Sequence, residues 1–389
     1  MWLTDLSIVL PNRVMSRGHL RIENGLIAEI VEEAGPAPSH TVFPGFIDMH
    51  GDMIELELEP RPRVDFPMEV AVGHLDARLA AAGVTTAYAG VSFSRTAKDG
   101  ERRSFEHTSG IIRALKQNIE GLRVDHRIHA RFDMTYTDAI AALEGLLASG
   151  AVDLVSVMDH TPGQGQYRDL EKLVAYRTHR NNAAAEEVRA EIQAKIDAKI
   201  SPQEMLENLQ EISRLCQAHG VAMASHDDDT VEKTNLMADI GTVISEFPVT
   251  IEAAKTAADR GLMIAMGAPN AMRGQSYSGN LSARDAHAEG LLHILAADYH
   301  PAAILPAIRV LAKTDPGGLA GATRLASAHP ADALGLTDRG RIEVGRRADL
   351  SVVDSADRVA LTLSEGKAIH SDGSLKTKES LNKHLKEKA

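Results

Sequence analysis

The sequence predicts an α/β protein built on a (β/α)₈ TIM barrel, with a small β-sandwich domain formed by both chain ends. From about residue 45 to residue 330, short apolar runs alternate with helical stretches. Eight such runs occur, the number that this barrel requires. The chain before and after this region has short strands separated by turns. We therefore expect a β-sandwich domain from residues 1–44 and 340–389 and a barrel from residues 45–339.

The eight strands are predicted from apolar segments bounded by turn residues. Pro44 and Gly45 precede the first of them, in which Phe46, Ile47 and Met49 indicate a buried strand. At the N-terminus, the alternation in HLRIENGLIAEIVEE predicts a β-hairpin that turns at Asn24 and Gly25. The predicted barrel strands are FPGFIDMHGD, GVTTAYAGVSF, HRIHARFDMT, VDLVSVMDH, VAMASHDDD, TVISEFPV, LMIAMGAP and ILAADY.

Residues 166–219 form a polar excursion between two predicted strands. Strong helix formers and the SPQE segment, with Ser201 as N-cap and Glu204 at the third helical position, predict two helices packed as a hairpin outside the barrel wall. A lid, an oligomer contact and a decorated crossover are all compatible with this pattern. A homo-oligomer is left open on the same grounds.

The composition excludes several classes of protein. The chain has 389 residues, 44% hydrophobic and 25% charged, with a net charge of −12, which argues against a nucleic-acid partner. No apolar run approaches the roughly 18 residues needed to span a membrane. Cys216 is the single cysteine, so a disulfide framework is excluded and a cytoplasmic location is expected.

Polar residues end almost every predicted barrel strand, where the active-site residues of such barrels lie. Three of them are histidines that follow apolar or small residues, and imidazole with carboxylate ligands suits Zn²⁺, Mn²⁺ or Fe²⁺. His50 and Asp52 are two residues apart and are expected on one side of their strand; Asp48 is interpreted as structural. The strand-end residues are His50, Asp52, His129, Arg131, Asp133, Asp159, His160, His226, Asp227, Asp228, Asp229, Glu246, Asn270, Arg273 and Asp298.

Asp298 follows the last predicted strand and is a candidate general base. Beside a metal-bound water it could accept a proton as hydroxide attacks and return the proton to the leaving group. The alternative role is that of N-cap for the helix predicted in HPAAILPAIRVLAK.

The segment FPGFIDMHGD, the residues His160, His226 and Asp298, and the ending LGLTDRGRIEVGRRADLSVVD resemble the amidohydrolase superfamily over nearly the whole chain. This resemblance implies one or two divalent metal ions held by His50, Asp52, His160, His226 and Asp298. The first strand of the superfamily usually carries an HxH motif. In this sequence Asp52 replaces the second histidine of that motif. The bridging lysine of many members has no obvious counterpart, so the resemblance implies Asp133 as a bridging carboxylate, with Glu246 left open as a ligand.

The segments HGDMIELELEPRPRVDFP, VMDHTPGQGQYRD, SHDDDT and MGAPNAMRGQSYSGNLSARD resemble one branch of that superfamily, the α-D-ribose 1-methylphosphonate 5-triphosphate diphosphatases of the carbon–phosphorus lyase pathway. This resemblance implies a small phosphorylated substrate that is hydrolysed to a 5-phosphate and pyrophosphate. Arginine forks and neutral donors near the mouth suit phosphate oxygens. The expected substrate-binding residues are Arg61, Arg63, Arg131, Gln164, Gln166, Arg168, Arg273, Ser276, Ser278 and Asn280.

Two other functions fit parts of this pattern. One is an amidohydrolase that cleaves a C–N bond, such as a cyclic amidase, a deaminase or a deacetylase; such substrates need no cluster of arginines at the mouth. The other is a non-catalytic scaffold of the same fold, which the number of retained ligand-type residues disfavours. The segment SYSGNLSARD has an alternative interpretation as a turn that caps the following helix.

Overall fold

The computed structural model describes residues 1–61, 64–93, 105–119, 121–181, 183–276 and 279–375. Within these ranges the strands are β1 Trp2–Val9, β2 Val14–Glu23, β3 Leu26–Glu32, β4 His40–Pro44, β5 Phe46–Gly51, β6 Val84–Phe93, β7 Asp125–Asp133, β8 Leu154–Met158, β9 Ala222–His226, β10 Ile244–Glu246, β11 Met263–Gly267, β12 Ile294–Ala296, β13 Leu350–Asp354, β14 Val359–Ser364 and β15 Lys367–Ser371.

The α-helices of the same ranges lie mainly between the barrel strands. They are α1 Met53–Leu58, α2 Met68–Ala81, α3 Phe105–Asn118, α4 Ile140–Ala148, α5 Leu170–Asn181, α6 Ala185–Asp197, α7 Pro202–His219, α8 Val231–Asp239, α9 Ile251–Asp259, α10 Ala268–Arg273, α11 Ala283–Ala288, α12 Ile304–Leu311, α13 Gly318–Arg324 and α14 Ala328–Ala333. None of the helices described has the length and apolar character needed to cross a membrane.

Strands β5–β12 form one parallel sheet in chain order, which confirms the eight predicted barrel strands. The first and last strands meet where Gly51 pairs with Asp298. There the Asp298 N–H donates to the His50 carbonyl at 2.9 Å, and the Asp52 N–H donates to the Asp298 carbonyl at 2.7 Å. These bonds close the barrel. All ten residues of β6 are buried, as expected for a parallel strand covered on both faces.

The chain ends form a second sheet of seven strands, in the order β15-β14-β13-β4-β1-β2-β3. Its core includes Leu6, Ile8 and Val352, each with no exposed surface. The predicted hairpin joins β2 to β3 through Asn24 and Gly25, whose φ angles of 51° and 78° are those of a type I′ turn. The prediction that both chain ends build one small β unit is confirmed.

The described residues of the excursion at 166–219 form three α-helices rather than the two helices predicted. Helices α5 and α6 share a small separate core that includes Leu173 and Val188. Helix α7 instead contributes Ile212 to the main core, because the parallel neighbours β8 and β9 need a crossover helix between them. The Ser201 hydroxyl accepts from the Glu204 N–H at 3.1 Å, which confirms the predicted N-cap.

A half-buried histidine pair near the amino ends of the last two barrel strands makes the stability of the fold depend on pH. The Ile264 N–H donates to His293 Nδ1 at 3.1 Å, and His329 Nδ1 lies 2.8 Å from the His293 carbonyl. Burial, and then the charge of His329, lowers the pKa of His293. Protonation of Nδ1 would remove the acceptor for Ile264, so the folded protein favours the neutral ring.

We expect His293→Asn to flatten the acid limb of the stability curve. Because the folded-state pKa of His293 is lower than the unfolded value, its contribution to stability is fully present above the unfolded pKa and is lost as the pH falls below it. The hydrogen bond at stake is worth about 1 kcal/mol. Urea unfolding between pH 8 and pH 5 would measure this, and equal slopes for the two proteins would contradict it.

Candidate metal centre at the carboxyl ends of the barrel strands

Three histidines and one glutamate converge near the barrel axis. His50 is the penultimate residue of β5, His129 lies inside β7, His226 ends β9 and Glu246 ends β10. Each of the four is at most 3% exposed. Glu246 Oε2 lies 3.0 Å from His226 Nδ1 and 3.2 Å from His50 Nδ1. Glu246 Oε1 lies 3.6 Å from His129 Nε2. One buried carboxylate therefore contacts all three imidazoles.

A second group of ligand-type side chains lies on the other side of the same rings. His50 Nε2 is 3.4 Å from Asp52 Oδ1, and His226 Nε2 is 3.6 Å from Asp227 Oδ2. His160 Nε2 lies 4.0 Å from that same Asp227 oxygen. Two sets of three residues each place their ligand atoms within 4.8 Å of one another: His50 with His129 and Glu246, and His160 with His226 and Asp227.

The donor atoms of these sets fit one or two divalent cations. Among the described residues, both ring nitrogens of His129, Glu246 Oε1 and Asp227 Oδ2 are buried without a hydrogen-bond partner. Buried polar atoms are normally paired, so these atoms call for an additional partner. Imidazole nitrogens and carboxylate oxygens are the ligands of Zn²⁺, Mn²⁺ and Fe²⁺ sites.

The histidines differ in protonation because their carboxylate neighbours differ. Burial alone would lower the pKa of His50, but the charges of Glu246 and Asp52 raise that pKa to about 10. Burial lowers the pKa of His129 to about 3, against the opposing charge of Glu246. The charges of His50 and His129 in turn hold the pKa of Glu246 well below its usual value despite burial. Glu246 is therefore an anion at neutral pH, and His129 is a neutral ring.

Arg131, predicted as a phosphate ligand, lies inside this group and is 8% exposed. Its Nη1 is 2.5 Å from Asp52 Oδ1, and its Nη2 is 3.4 Å from His226 Nε2. Gly90 on β6 makes room for the pair, because a Cβ at this position would lie 3.0 Å from Asp52 Oδ1 and 3.2 Å from Arg131 Cδ. Although burial opposes ionisation of Asp52, the charges of Arg131 and His50 hold its pKa far below the usual value.

Asp298 lies beside the two ligand sets and belongs to neither of them. Its backbone has the left-handed φ of 58°, and a Cβ on Gly267 would lie 3.0 Å from its Oδ2. Burial, and then the charge of Asp52, raises the pKa of Asp298 to about 6. His300 and Ala303 occupy the N-cap positions of the helical turns that follow, so the alternative role of Asp298 as N-cap does not hold.

Asp48 lies deeper in the barrel and has a structural environment. It has no exposed surface, and its Oδ1 accepts from the His50 N–H at 3.2 Å and from the Ala297 N–H at 2.8 Å. These bonds tie the first barrel strand to the last and fix the backbone that carries His50.

Asp133, the predicted bridging carboxylate, also lies outside both ligand sets. Its Oδ1 accepts from the Thr135 N–H at 2.9 Å and from the Thr135 hydroxyl at 2.7 Å. Burial raises its pKa to about 6, and the neighbouring charges are those of Asp159 and Lys199. Its role as a metal ligand stays a prediction.

Lys199 is a cation of this mouth that the strand-end pattern does not include. It lies in the connection from α6 to α7, and its Nζ is 3.0 Å from Asp159 Oδ2 and 3.0 Å from Gln164 Oε1. The helical hairpin thereby contacts the loop that carries His160.

The remaining predicted substrate residues surround the mouth less closely. Arg61, Arg168 and Arg273 are exposed, while Gln164, Gln166, Ser276 and Asn280 are half-buried. Arg273 Nη1 lies 3.4 Å from the hydroxyl of Tyr299, the residue after Asp298. Ser282, not the residues before it, caps α11. The predicted residues Arg63 and Ser278 lie outside the described ranges.

The predicted ligand set left out His129 and Asp227 and kept Glu246 open. A signal for His129 was present, because residues 129, 131 and 133 alternate along one strand and share a side of it. No comparable pattern marks Lys199, because it follows a helix of the excursion.

The sequence matches the amidohydrolase family over residues 41–375. It is also 35% identical over 369 residues to the alpha-D-ribose 1-methylphosphonate 5-triphosphate diphosphatase of Escherichia coli (strain K12), covering 92% of this chain and 96% of that protein.

Two solved structures show the same fold at low identity. The N-acetyl-D-glucosamine-6-phosphate deacetylase of Mycobacterium smegmatis has a TM-score of 0.63 and 17% identity, covering 95% of this chain and all of that one. The 5-methylcytosine deaminase of Klebsiella pneumoniae has a TM-score of 0.64 and 14% identity, covering 95% and 98%. Taken with the family match over most of its length, these findings show that the chain belongs to the amidohydrolase family and is a hydrolytic enzyme.

Proposed function

We propose that this enzyme hydrolyses α-D-ribose 1-methylphosphonate 5-triphosphate to the 5-phosphate and pyrophosphate, as a step of phosphonate catabolism. The observation that carries the proposal is the 35% identity to the diphosphatase, which extends over 92% of the chain. The solved deacetylase and deaminase are below 25% identity, so they support the fold and do not argue for their own substrates.

The metal would be held by the histidines of the two ligand sets together with Asp52 and Asp227. When bound, a divalent ion supplies Lewis acidity toward a phosphoryl oxygen and lowers the pKa of water. The buried atoms of His129 and Asp227 that lack hydrogen-bond partners support such a site.

The protein residues have distinct tasks in the proposed reaction. Water attacks phosphorus, and the bond between the α- and β-phosphates breaks. Asp298 accepts a proton from the attacking water and returns it to the leaving oxygen, for which a pKa near 6 is well matched. Arg131 and Lys199 bring positive charge to a protein that is acidic overall, and guanidinium forks stabilise the charge that develops on phosphate oxygens.

The direct test is incubation of the purified protein, loaded in turn with Zn²⁺, Mn²⁺ and Fe²⁺, with the ribosyl triphosphate. We expect pyrophosphate and the 5-phosphate in equal amounts, because a single bond is cleaved. Release of inorganic phosphate in their place would place the cleavage at a different bond.

A parallel assay with cyclic amides, N-acetyl amino sugars and aminopyrimidines addresses the C–N alternative. Ammonia or acetate released faster than pyrophosphate would favour that alternative. A protein that binds no metal and cleaves none of these substrates would indicate a scaffold.

A further inference from the structure

Glu246 lies beneath two histidine rings that stack on each other. The rings of His50 and His226 have centroids 5.4 Å apart and planes inclined by only 16°. His226 Nδ1 is hydrogen-bonded to Glu246 Oε2 at 3.0 Å, whereas His50 Nδ1 lies 3.2 Å from the same oxygen without hydrogen-bond geometry. A carboxylate that is charged and fully buried is a strong acceptor for the His226 N–H group.

The opposite nitrogens of the two rings point away from Glu246. His50 Nε2 lies 3.4 Å from Asp52, and His226 Nε2 lies 3.6 Å from Asp227 and 3.4 Å from the guanidinium of Arg131. When Nδ1 of a histidine donates to a carboxylate, Nε2 is the atom left to bind a metal, and the carboxylate fixes both the tautomer and the ring orientation.

Phe247 holds the rings from a third direction. Its ring meets His50 edge-on at 4.9 Å and His226 at 5.4 Å. The φ angle of Phe247 is 52°, an unfavourable value for a bulky side chain that persists only where the surroundings impose it. The backbone thus turns directly after Glu246 so that the next side chain packs against the two imidazoles that Glu246 contacts.

We propose that Glu246 is a positioning residue that accepts the Nδ1 proton of His226 and thereby directs the Nε2 atom of this ring to a metal on the mouth side. This inference rests on the metal centre of the proposed function and is independent of the substrate. The competing arrangement has Glu246 as a metal ligand itself, with a cation held between its Oε1 and His129.

Two substitutions of Glu246 separate these arrangements. In Glu246→Gln the amide oxygen can still accept the Nδ1 proton of His226, so we expect a zinc affinity close to that of the wild type. Glu246→Ala removes the acceptor, and loss of a carboxylate that orients metal-binding histidines typically weakens metal affinity by about 10–100-fold. If Glu246 binds the metal, Gln should lose as much affinity as Ala, because a neutral amide is a poor zinc ligand. Competition with a chromophoric chelator measures the affinity.

Nitrogen-15 NMR of the zinc-loaded wild type, labelled at histidine, gives a readout that needs neither variant to fold. With the signals assigned through His226→Gln, we expect Nδ1 of His226 to carry hydrogen and its Nε2 to carry zinc. Zinc on Nδ1 of this ring, or equal losses of affinity in the two Glu246 variants, would overturn the inference. Failure to release pyrophosphate would leave both measurements unaffected.

Discussion

Replacing Asp298 with asparagine is expected to reduce turnover by a factor of about 10²–10⁴, the usual contribution of a general acid–base group, while the metal content stays near that of the wild type. Asparagine keeps the size of the side chain and tolerates the left-handed φ of 58°, but it cannot accept the proton of the attacking water. Because Asp298 lies outside both ligand sets, its amide should not displace the metal. Steady-state pyrophosphate release and elemental analysis measure the two quantities.

The matched control is Asp357→Asn. Asp357 has the same φ of 58°, but it lies at the turn between β13 and β14 and its carboxylate pairs with Arg309 Nε at 2.8 Å. We expect this variant to keep full turnover, so that backbone effects of the substitution are separated from loss of the base. An Asp298→Asn enzyme with full activity would show that another group accepts the proton. Asp133→Asn tests the predicted bridging role by the same elemental analysis. If Asp133 bridges the metals, this variant should contain less metal than the wild type.

The barrel could be predicted because its signals are local. Each apolar run ends at a polar residue, and a residue such as His226 or Glu246 shows its position at a strand end without reference to any partner. His129 lies four residues before the end of its strand, so its place in the site depends on how far that strand extends toward the mouth, which neighbouring strands decide. The contact of Asp298 with His50 required closure of the sheet between residues 248 positions apart in the chain.

The partners of the charged residues could not be predicted in the same way. Arg131 was expected to face substrate, yet its closest partner is Asp52, which directly follows the strand two places away in the sheet. This pairing is possible because the intervening strand β6 has glycine at position 90, where a Cβ would crowd both Asp52 and Arg131. Lys199 reaches Asp159 only because α5 and α6 fold back on a core of their own. Such contacts follow from packing in three dimensions and leave no periodic trace in the sequence.

Replacing Arg131 with methionine is expected to lower both stability and turnover. Its buried guanidinium faces the charges of Asp52, Glu55, Glu246 and Asp227, and removal of one partner from a buried ion pair costs about 3–5 kcal/mol. Loss of a cation positioned for charge developing on phosphate oxygens should also reduce turnover by about 10²–10³-fold. Urea unfolding and pyrophosphate release at a temperature where the variant is folded measure the two effects.

Arg339→Met is the comparison that separates these effects. Arg339 is 5% exposed and pairs with Asp125 at 2.5 Å and with Asp338 at 2.9 Å, near the amino ends of the strands and away from the mouth. The Arg339→Met variant should lose about as much free energy of unfolding as Arg131→Met and keep the turnover of the wild type. If both variants lost turnover equally, the role of Arg131 would be structural. If only Arg131→Met lost turnover, the guanidinium that pairs with Asp52 would also stabilise charge on the phosphate oxygens of the substrate. Arg131→Lys would then recover only part of the turnover, because an ammonium lacks the bidentate fork.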